Sequence, residues 1–207
     1  MTNPRKLLIA SGNRAKASEI ITILSAGLAD LDVEFLTMAN FPEALEPDEN
    51  GTTYIENAAI KSEAASKHTG LIALGDDVGL EIDYLDGQPG LYSRRFAGED
   101  TPFSIKIALI LEKLKDVPDE QRTARFQAAV AISAPNTPSR IFEASRDGRI
   151  THDPKGEHGF GYDPIFYLPE LNKTMAELLP EEKNQTSHRS RVLSHALPYL
   201  RELLGGK

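Results

Sequence analysis

Lys6-Leu7-Leu8-Ile9-Ala10-Ser11-Gly12-Asn13-Arg14-Ala15-Lys16 is the stretch that decides the fold class. Residues 6–10 are a short apolar run of strand length, Ser11-Gly12-Asn13 is a turn signal, and Ile20, Ile21, Ile23 and Leu24 beyond it predict a helix. A buried strand feeding a helix through a tight turn opens an α/β fold. Working outward, 32–36 predicts a second strand, 41–51 an acidic loop carrying Glu43, Glu46, Asp48 and Glu49, and 53–67 a helix rich in Ala, Glu and Lys that stops at Gly70. Residues 71–74 predict a strand that runs into the turn Gly75-Asp76-Asp77-Val78-Gly79, after which Leu80, Ile82 and Tyr84 alternate with charged residues as another strand. Loop is expected at 88–100 and helix at 104–114. The runs 125–133 and 139–150 form a hairpin around Pro135-Asn136-Thr137-Pro138. A glycine-bearing loop at 155–164, a strand at 165–168 and a serine-capped helix over 187–204, with Pro198 as a kink point, complete the chain.

The 207 residues, 40% apolar and 26% charged, suit a soluble globular chain and exclude a collagen-like, low-complexity or largely disordered one. That length predicts one bilobed domain over 1–207. A net charge of −8 argues against a surface built to grip nucleic-acid phosphates or anionic lipid. Cysteine is absent, which removes disulfides, thiolate catalysis and cysteine-held metal and leaves oxygen or histidine as the only ligands. No apolar run nears the roughly 18 residues of a membrane span, and the start of the chain lacks a signal-peptide core. A cytoplasmic protein with no membrane partner is expected.

Four segments carry candidate chemistry. Ser11-Gly12-Asn13-Arg14-Ala15-Lys16 lies where free helix amides and a lysine one turn on can hold a phosphate, although ordinary capping would use the same residues. Asp76 and Asp77, with Glu49 in the acidic loop, form an all-oxygen set suited to magnesium, or else a solvated acidic turn. Gly159-Phe160-Gly161-Tyr162-Asp163 can stack a planar ligand on a ring and hydrogen-bond its edge through Asp163; a tight turn with inward aromatics is the alternative. Lys183 and Ser187-His188-Arg189 set cations at a helix start, against the helix dipole, which calls for an anionic or acceptor-rich ligand unless His188 is a plain capping or surface residue.

Taken in order, SGNxxK, TxxENAxxK at 53–61, GDDxGL, PGLYSRRFAG from Pro89, GFGYDPIF from Gly159 and EEKNxxSHR from Glu181 resemble the inosine triphosphate pyrophosphatase family over essentially the whole chain. The resemblance implies an elongated mixed α/β fold, a twisted central sheet flanked by helices with two lobes around a nucleotide cleft, and a homodimer. It implies hydrolysis of deaminated purine nucleoside triphosphates (ITP, dITP, XTP) to the monophosphate and pyrophosphate with Mg2+, which cleanses the nucleotide pool. Carried over by position, Ser11 to Lys16, that is Ser11, Gly12, Asn13, Arg14, Ala15 and Lys16, would bind the triphosphate with Lys61 in support. Glu49 and Asp77 would hold magnesium, and Asp77 would be the general base beside Asp76. Phe160, Gly161, Tyr162 and Asp163 would frame the base, and Lys183, His188 and Arg189 would read its oxygen-bearing edge; Arg95 lies in a matched loop without an assigned role.

One position departs from the resemblance. Where that family carries serine or threonine, this chain has Val78. A lost hydroxyl contact to substrate or attacking water would cost about 0.5–1.5 kcal/mol, roughly tenfold in rate. Val78 is the one feature that supports a rival reading as a catalytically weak purine-nucleotide-binding module; a pyrophosphatase of related fold for other modified bases is the rival among enzymes. A nucleic-acid partner is excluded by the acidic balance and the absence of a basic stripe with interleaved aromatics.

Overall fold

The computed structural model describes residues 4–44 and 47–205. Glu46, expected in the acidic loop, lies outside the described residues. In chain order the principal elements are β1 (Arg5–Ile9), α1 (Arg14–Gly27), β2 (Val33–Thr37), α2 (Tyr54–Thr69), β3 (Ile72–Ile82), β4 (Pro89–Gly90) and α3 (Phe103–Lys113). They are followed by β5 (Thr123–Ala134), β6 (Thr137–Ile150), β7 (Phe166–Leu168), β8 (Lys173–Thr174), α4 (Pro180–Thr186) and α5 (His188–Leu203). Hydrogen bonding orders the strands β2-β1-β3-β5-β6-β7-β8, with β4 also on β3. The sheet is mixed. β1 runs parallel to β2 and β3, while β3–β4, β6–β7 and β7–β8 are antiparallel. Among the described residues no helix is long and apolar enough to cross a membrane.

The chain divides into two compact units, one made of the residues up to Asp77, Ala128–Ala144 and those from Arg189 onward, the other of Val78–Gln127 and Ser145–His188. In the first, α1 links β1 to β2 and α2 returns the chain past β1 to β3. Because parallel crossovers are right-handed, connections that travel in opposite directions place their helices on opposite faces. The contacts agree. Ala65 of α2 packs with Leu8, Ala10 and Ala73, of which Leu8 and Ala73 are register partners on one face, and Ala58 packs with Ala129 and Ala131. Helix α1 lies against α5, where Gly27 meets Leu197 and Arg201 donates to both carboxylate oxygens of Asp30. The crossover through α1 leaves from the carboxyl end of β1, the end at which α/β sheets present ligand sites.

The second unit is held by an apolar cluster that includes Leu80, Ile110, Phe126, Ile165, Phe166 and Met175. Arg122, 1% exposed, fastens it by donating to the carbonyls of Leu114, Val117, Ile150 and Thr151. It thus adds a second donor to the Leu114 carbonyl just past α3, which also accepts the Val117 N–H.

Most predicted elements stand within a residue or two of their expected bounds, including the hairpin, whose two-residue link Pro135-Asn136 has Asn136 at φ 59. Two do not. Asp76 and Asp77 are not a turn between two strands but the interior of the eleven-residue β3. The terminal helix is preceded by a separate short helix, α4, with Ser187 in extended conformation between it and α5, and α5 runs through Pro198.

Candidate active site

In the first unit Asn13 caps α1, its Oδ1 accepting the N–H of Lys16 at 3.1 Å while its own N–H donates to Ser11 Oγ at 3.3 Å. Capping therefore does occur, and it leaves the first-turn amides of Arg14 and Ala15 without intrahelical acceptors. Gly12, Asn13, Arg14 and Ala15 are exposed. That turn holds no acidic residue but two basic ones, Arg14 and Lys16, so its helix dipole and its side chains both favour an anion.

β3 solves the problem of adjacent buried carboxylates by alternation. Consecutive strand residues point to opposite faces, so Asp76 and Asp77 meet different partners. Asp76 faces α1 and α5, with Lys16 Nζ at 3.8 Å and Arg189 Nη2 at 3.4 Å, and Glu19 also binds the Arg189 guanidinium. Burial would raise the pKa of Asp76, but Lys16, Arg189 and Lys61 outweigh it and hold the carboxyl well below its ordinary value. Lys16 is shifted down, chiefly by burial against the pull of Asp76.

Asp77 faces α2. Its Oδ1 accepts from Lys61 Nζ at 3.1 Å and its Oδ2 from Asn57 Nδ2 at 3.3 Å. Lys61 also donates to Glu49 Oε2 at 3.1 Å, so two carboxylates from segments distant in sequence converge on one ammonium. Burial pushes the Asp77 pKa up, with Lys61 and Lys16 opposing and Glu49 adding to the rise. For Lys61, burial lowers the pKa but the carboxylates of Asp77, Asp76 and Glu49 more than offset it, and the group is shifted up.

Close seating of α2 makes these contacts reachable. A Cβ at Gly75 would lie 2.4 Å from the carbonyl of Ala58 and 2.9 Å from the amide of Ser62, so only glycine lets the helix backbone approach β3 this closely. Thr53 caps α2 and accepts from Glu56 N, while Gly70 at φ 71 ends it.

In the second unit Asp163 Oδ2 accepts from the backbone N–H of Phe160 at 2.8 Å and from Lys183 Nζ at 2.7 Å, and Lys183 lies 4.6 Å from the Phe160 ring centroid. Asp163, expected to read a ligand's edge, is buried and organises the turn instead. Tyr162, expected to frame a ligand, is a core residue: its ring meets Phe103 edge-on at 5.1 Å and its hydroxyl donates to the carbonyl of Ser93 at 2.9 Å. Gly161 and Phe160 remain half-buried.

Lys183 sits in the last turn of α4, where the dipole favours a cation, so the dipole mismatch read from the sequence does not apply to it. His188 is buried with its ring 4.5 Å from that of Phe126. At the start of α5 the charge of Arg189 is balanced by Glu19 and Asp76, protein carboxylates, rather than left for a ligand. Val78 packs against the apolar cluster of the second unit, so its side chain serves packing. Arg95 lies over the Tyr92 ring at 5.6 Å.

The model of the Ham1 family matches residues 7–199. The chain belongs to the Ham1 family. It is 46% identical over 203 residues to the dITP/XTP pyrophosphatase of Geobacillus kaustophilus, covering 98% of both chains, and 43% identical over 189 residues to that of Bacillus subtilis, covering 91% of this chain and 93% of the relative. Among solved structures, the Ham1 protein of Coxiella burnetii superposes with a TM-score of 0.84 at 38% identity, covering 96% of this chain and 99% of that one. The Staphylococcus aureus Ham1 protein gives 0.83 at 36%, with 96% and 100% covered.

Sequence reasoning left two residues of this site unassigned. Asn57 stands four residues before Lys61, on the same helix face, and Glu19 three after Lys16, so helical spacing was the available signal for both.

Proposed function

We propose that this chain is a nucleoside triphosphate pyrophosphatase, one domain over 1–207, that hydrolyses deaminated purine nucleoside triphosphates to the monophosphate and pyrophosphate. The observation that carries it is the convergence of Glu49 Oε2 and Asp77 Oδ1 on Lys61 Nζ, each at 3.1 Å. Relatives named for dITP and XTP supply the substrate class.

The ion-paired cluster sets Lys16, Lys61 and Arg189 against Asp76, Asp77, Glu19 and Glu49, one carboxylate more than the cations, which favours a further cation beside Glu49 and Asp77. Glu49 and Asp77 would hold magnesium, a hard cation that suits oxygen donors. Among the described residues no group of three or more acidic or histidine side chains is arranged for a metal. Two carboxylates, with substrate phosphates and water completing the shell, are the usual protein share for this ion. When bound it would neutralise phosphate charge and lower the barrier to attack at the α-phosphorus.

The remaining steps belong to the chain's own residues. The first-turn amides of α1, with Arg14 and Lys16, bind the phosphates and take up the charge that grows on departing pyrophosphate. Asp77 accepts the proton of the attacking water on Oδ1 while Asn57 holds Oδ2, and its burial-raised pKa suits a base better than that of Asp76. The new bond joins water oxygen to the α-phosphorus, and the bond to the bridging oxygen breaks. In the second unit the Phe160 ring stacks the base, and Lys183, fixed by Asp163, donates to a keto oxygen where adenine would instead set an amino donor against the ammonium.

The test is pyrophosphate release from ITP, XTP, GTP and ATP with magnesium and with EDTA. Metal-dependent release from ITP and XTP, with little from the other two, is the expected result. Binding of ITP without release from any of the four would identify a binding module instead. Family resemblance also supports a cytoplasmic homodimer, which light scattering on the purified protein tests.

A further inference from the structure

Asn57 is 1% exposed in the first turn of α2, and its amide is used at both ends. Oδ1 accepts the backbone N–H of Gly51 at 2.9 Å, and Nδ2 donates to Asp77 Oδ2 at 3.3 Å. Gly51 is two residues from Glu49, whose Oε2 shares Lys61 with Asp77 Oδ1. The contacts therefore close a ring from Asp77 through Asn57 to Gly51, along the chain to Glu49, and back through Lys61. We infer that Asn57 is a positioning residue that fixes the loop bearing Glu49 relative to Asp77 and so sets the spacing of the two oxygens offered to a divalent cation. The inference rests on those carboxylates being the metal ligands.

The chemistry is particular to a short primary amide. Aspartate would keep an acceptor for Gly51 but turn a third carboxylate toward Asp77, and leucine, similar in shape, would offer neither bond. The loop side shows the same fit independently. A Cβ at Gly51 would lie 2.7 Å from Asn57 Oδ1 and 2.7 Å from Glu56 Cβ, so the loop is drawn as near to α2 as glycine permits. The next residue is fastened too, with Thr52 donating its N–H and hydroxyl to Glu56 Oε2 at 2.5 and 2.9 Å.

The experiment measures Mn2+ affinity by calorimetry on the nucleotide-free protein, and the Mg2+ concentration for half-maximal pyrophosphate release, in Asn57→Leu, Gly51→Ala, their double and Glu49→Gln. Gly51→Ala acts from the loop and leaves Asp77 untouched, so it carries the test even if Asn57→Leu folds poorly by circular dichroism. Asn57→Leu and Gly51→Ala are each expected to weaken Mn2+ binding about 10–100-fold, as loss of an outer-shell partner does, and to raise the Mg2+ requirement in parallel, while Glu49→Gln, which removes a ligand, is expected to weaken it at least as much. The double is expected to be no worse than the worse single, because both cut one tie. Unchanged Mn2+ affinity in Asn57→Leu and Gly51→Ala, with a loss in Glu49→Gln, overturns the inference and leaves the site reading standing. Unchanged affinity in all variants overturns the metal reading itself, and fully additive losses overturn the shared tie.

Discussion

Both compact units bury a lysine beside an aspartate, Lys61 with Asp77 and Lys183 with Asp163, and the two pairs are wired differently. Lys61 is shared between two carboxylates, and Asp77 is in turn shared between Lys61 and Asn57. Lys183 and Asp163 meet at one oxygen, which also accepts the Phe160 amide, and the ammonium lies over the Phe160 ring. The first arrangement carries excess negative charge and can exchange partners when a cation and an anion arrive together. The second is balanced and braced by an aromatic, so it suits a fixed recognition surface. Chemistry and selectivity should therefore separate on mutation.

The sharpest way to break this division is Asp77→Asn, for which kcat for ITP is expected to fall about 10²–10⁴-fold, the range of a lost general base, with the melting profile retained. Near-normal turnover would remove Asp77 as the base. Next in size is Lys183→Met, which leaves Asp163 buried without its ammonium and should destabilise by about 3–5 kcal/mol. Its surviving folded fraction should lose ITP-over-ATP preference while kcat for ITP changes less; a variant that keeps its preference would take selectivity away from this pair.

Asp76 offers a test on the opposite face of β3. Its folded pKa is depressed below the unfolded value near 3.9, so its stabilisation is complete above that value and is lost as pH falls through the folded pKa. Asp76→Asn should accordingly lower the melting temperature most near pH 7, with the gap to the parent closing toward pH 2. A pH-independent gap would show that the effect is packing and not charge. The smallest effect is expected at Val78, which packs on the apolar cluster. Val78→Thr should gain at most about tenfold in turnover at a stability cost of about 1 kcal/mol, and no gain would show that the hydroxyl has no role here.

The elements with strong local signals were legible in the sequence: the strand, turn and helix from Lys6 to Leu24, the α2 segment between Thr53 and Gly70, and the hairpin at Pro135-Asn136. Asp76-Asp77 read as a turn because two adjacent charges are costly in a strand interior, and what offsets that cost comes from Lys16, Lys61 and Arg189, none of them local. Lys183 was assigned to the start of a helix because the boundary at Ser187 hides α4, whose PEEKNQT is polar throughout. The motif residues named themselves, but their partners did not. Whether Tyr162 and Asp163 face a ligand or the core depends on Ser93, Phe103 and Lys183, all remote along the chain.

Gly75 acts as a gauge for the whole arrangement. The helix backbone rests on it with no side chain to cushion the contact, and the added Cβ of an alanine would stand 2.4 Å from a carbonyl where 3.4 Å is ordinary. Relief would require a shift of about 1 Å, and since Asn57 and Lys61 ride on that one rigid rod, both would leave Asp77 together. A misplacement of that size can cost about 10²-fold in rate. The machining tolerance of this site is thus set by an atom that is not there, in a residue that touches no substrate.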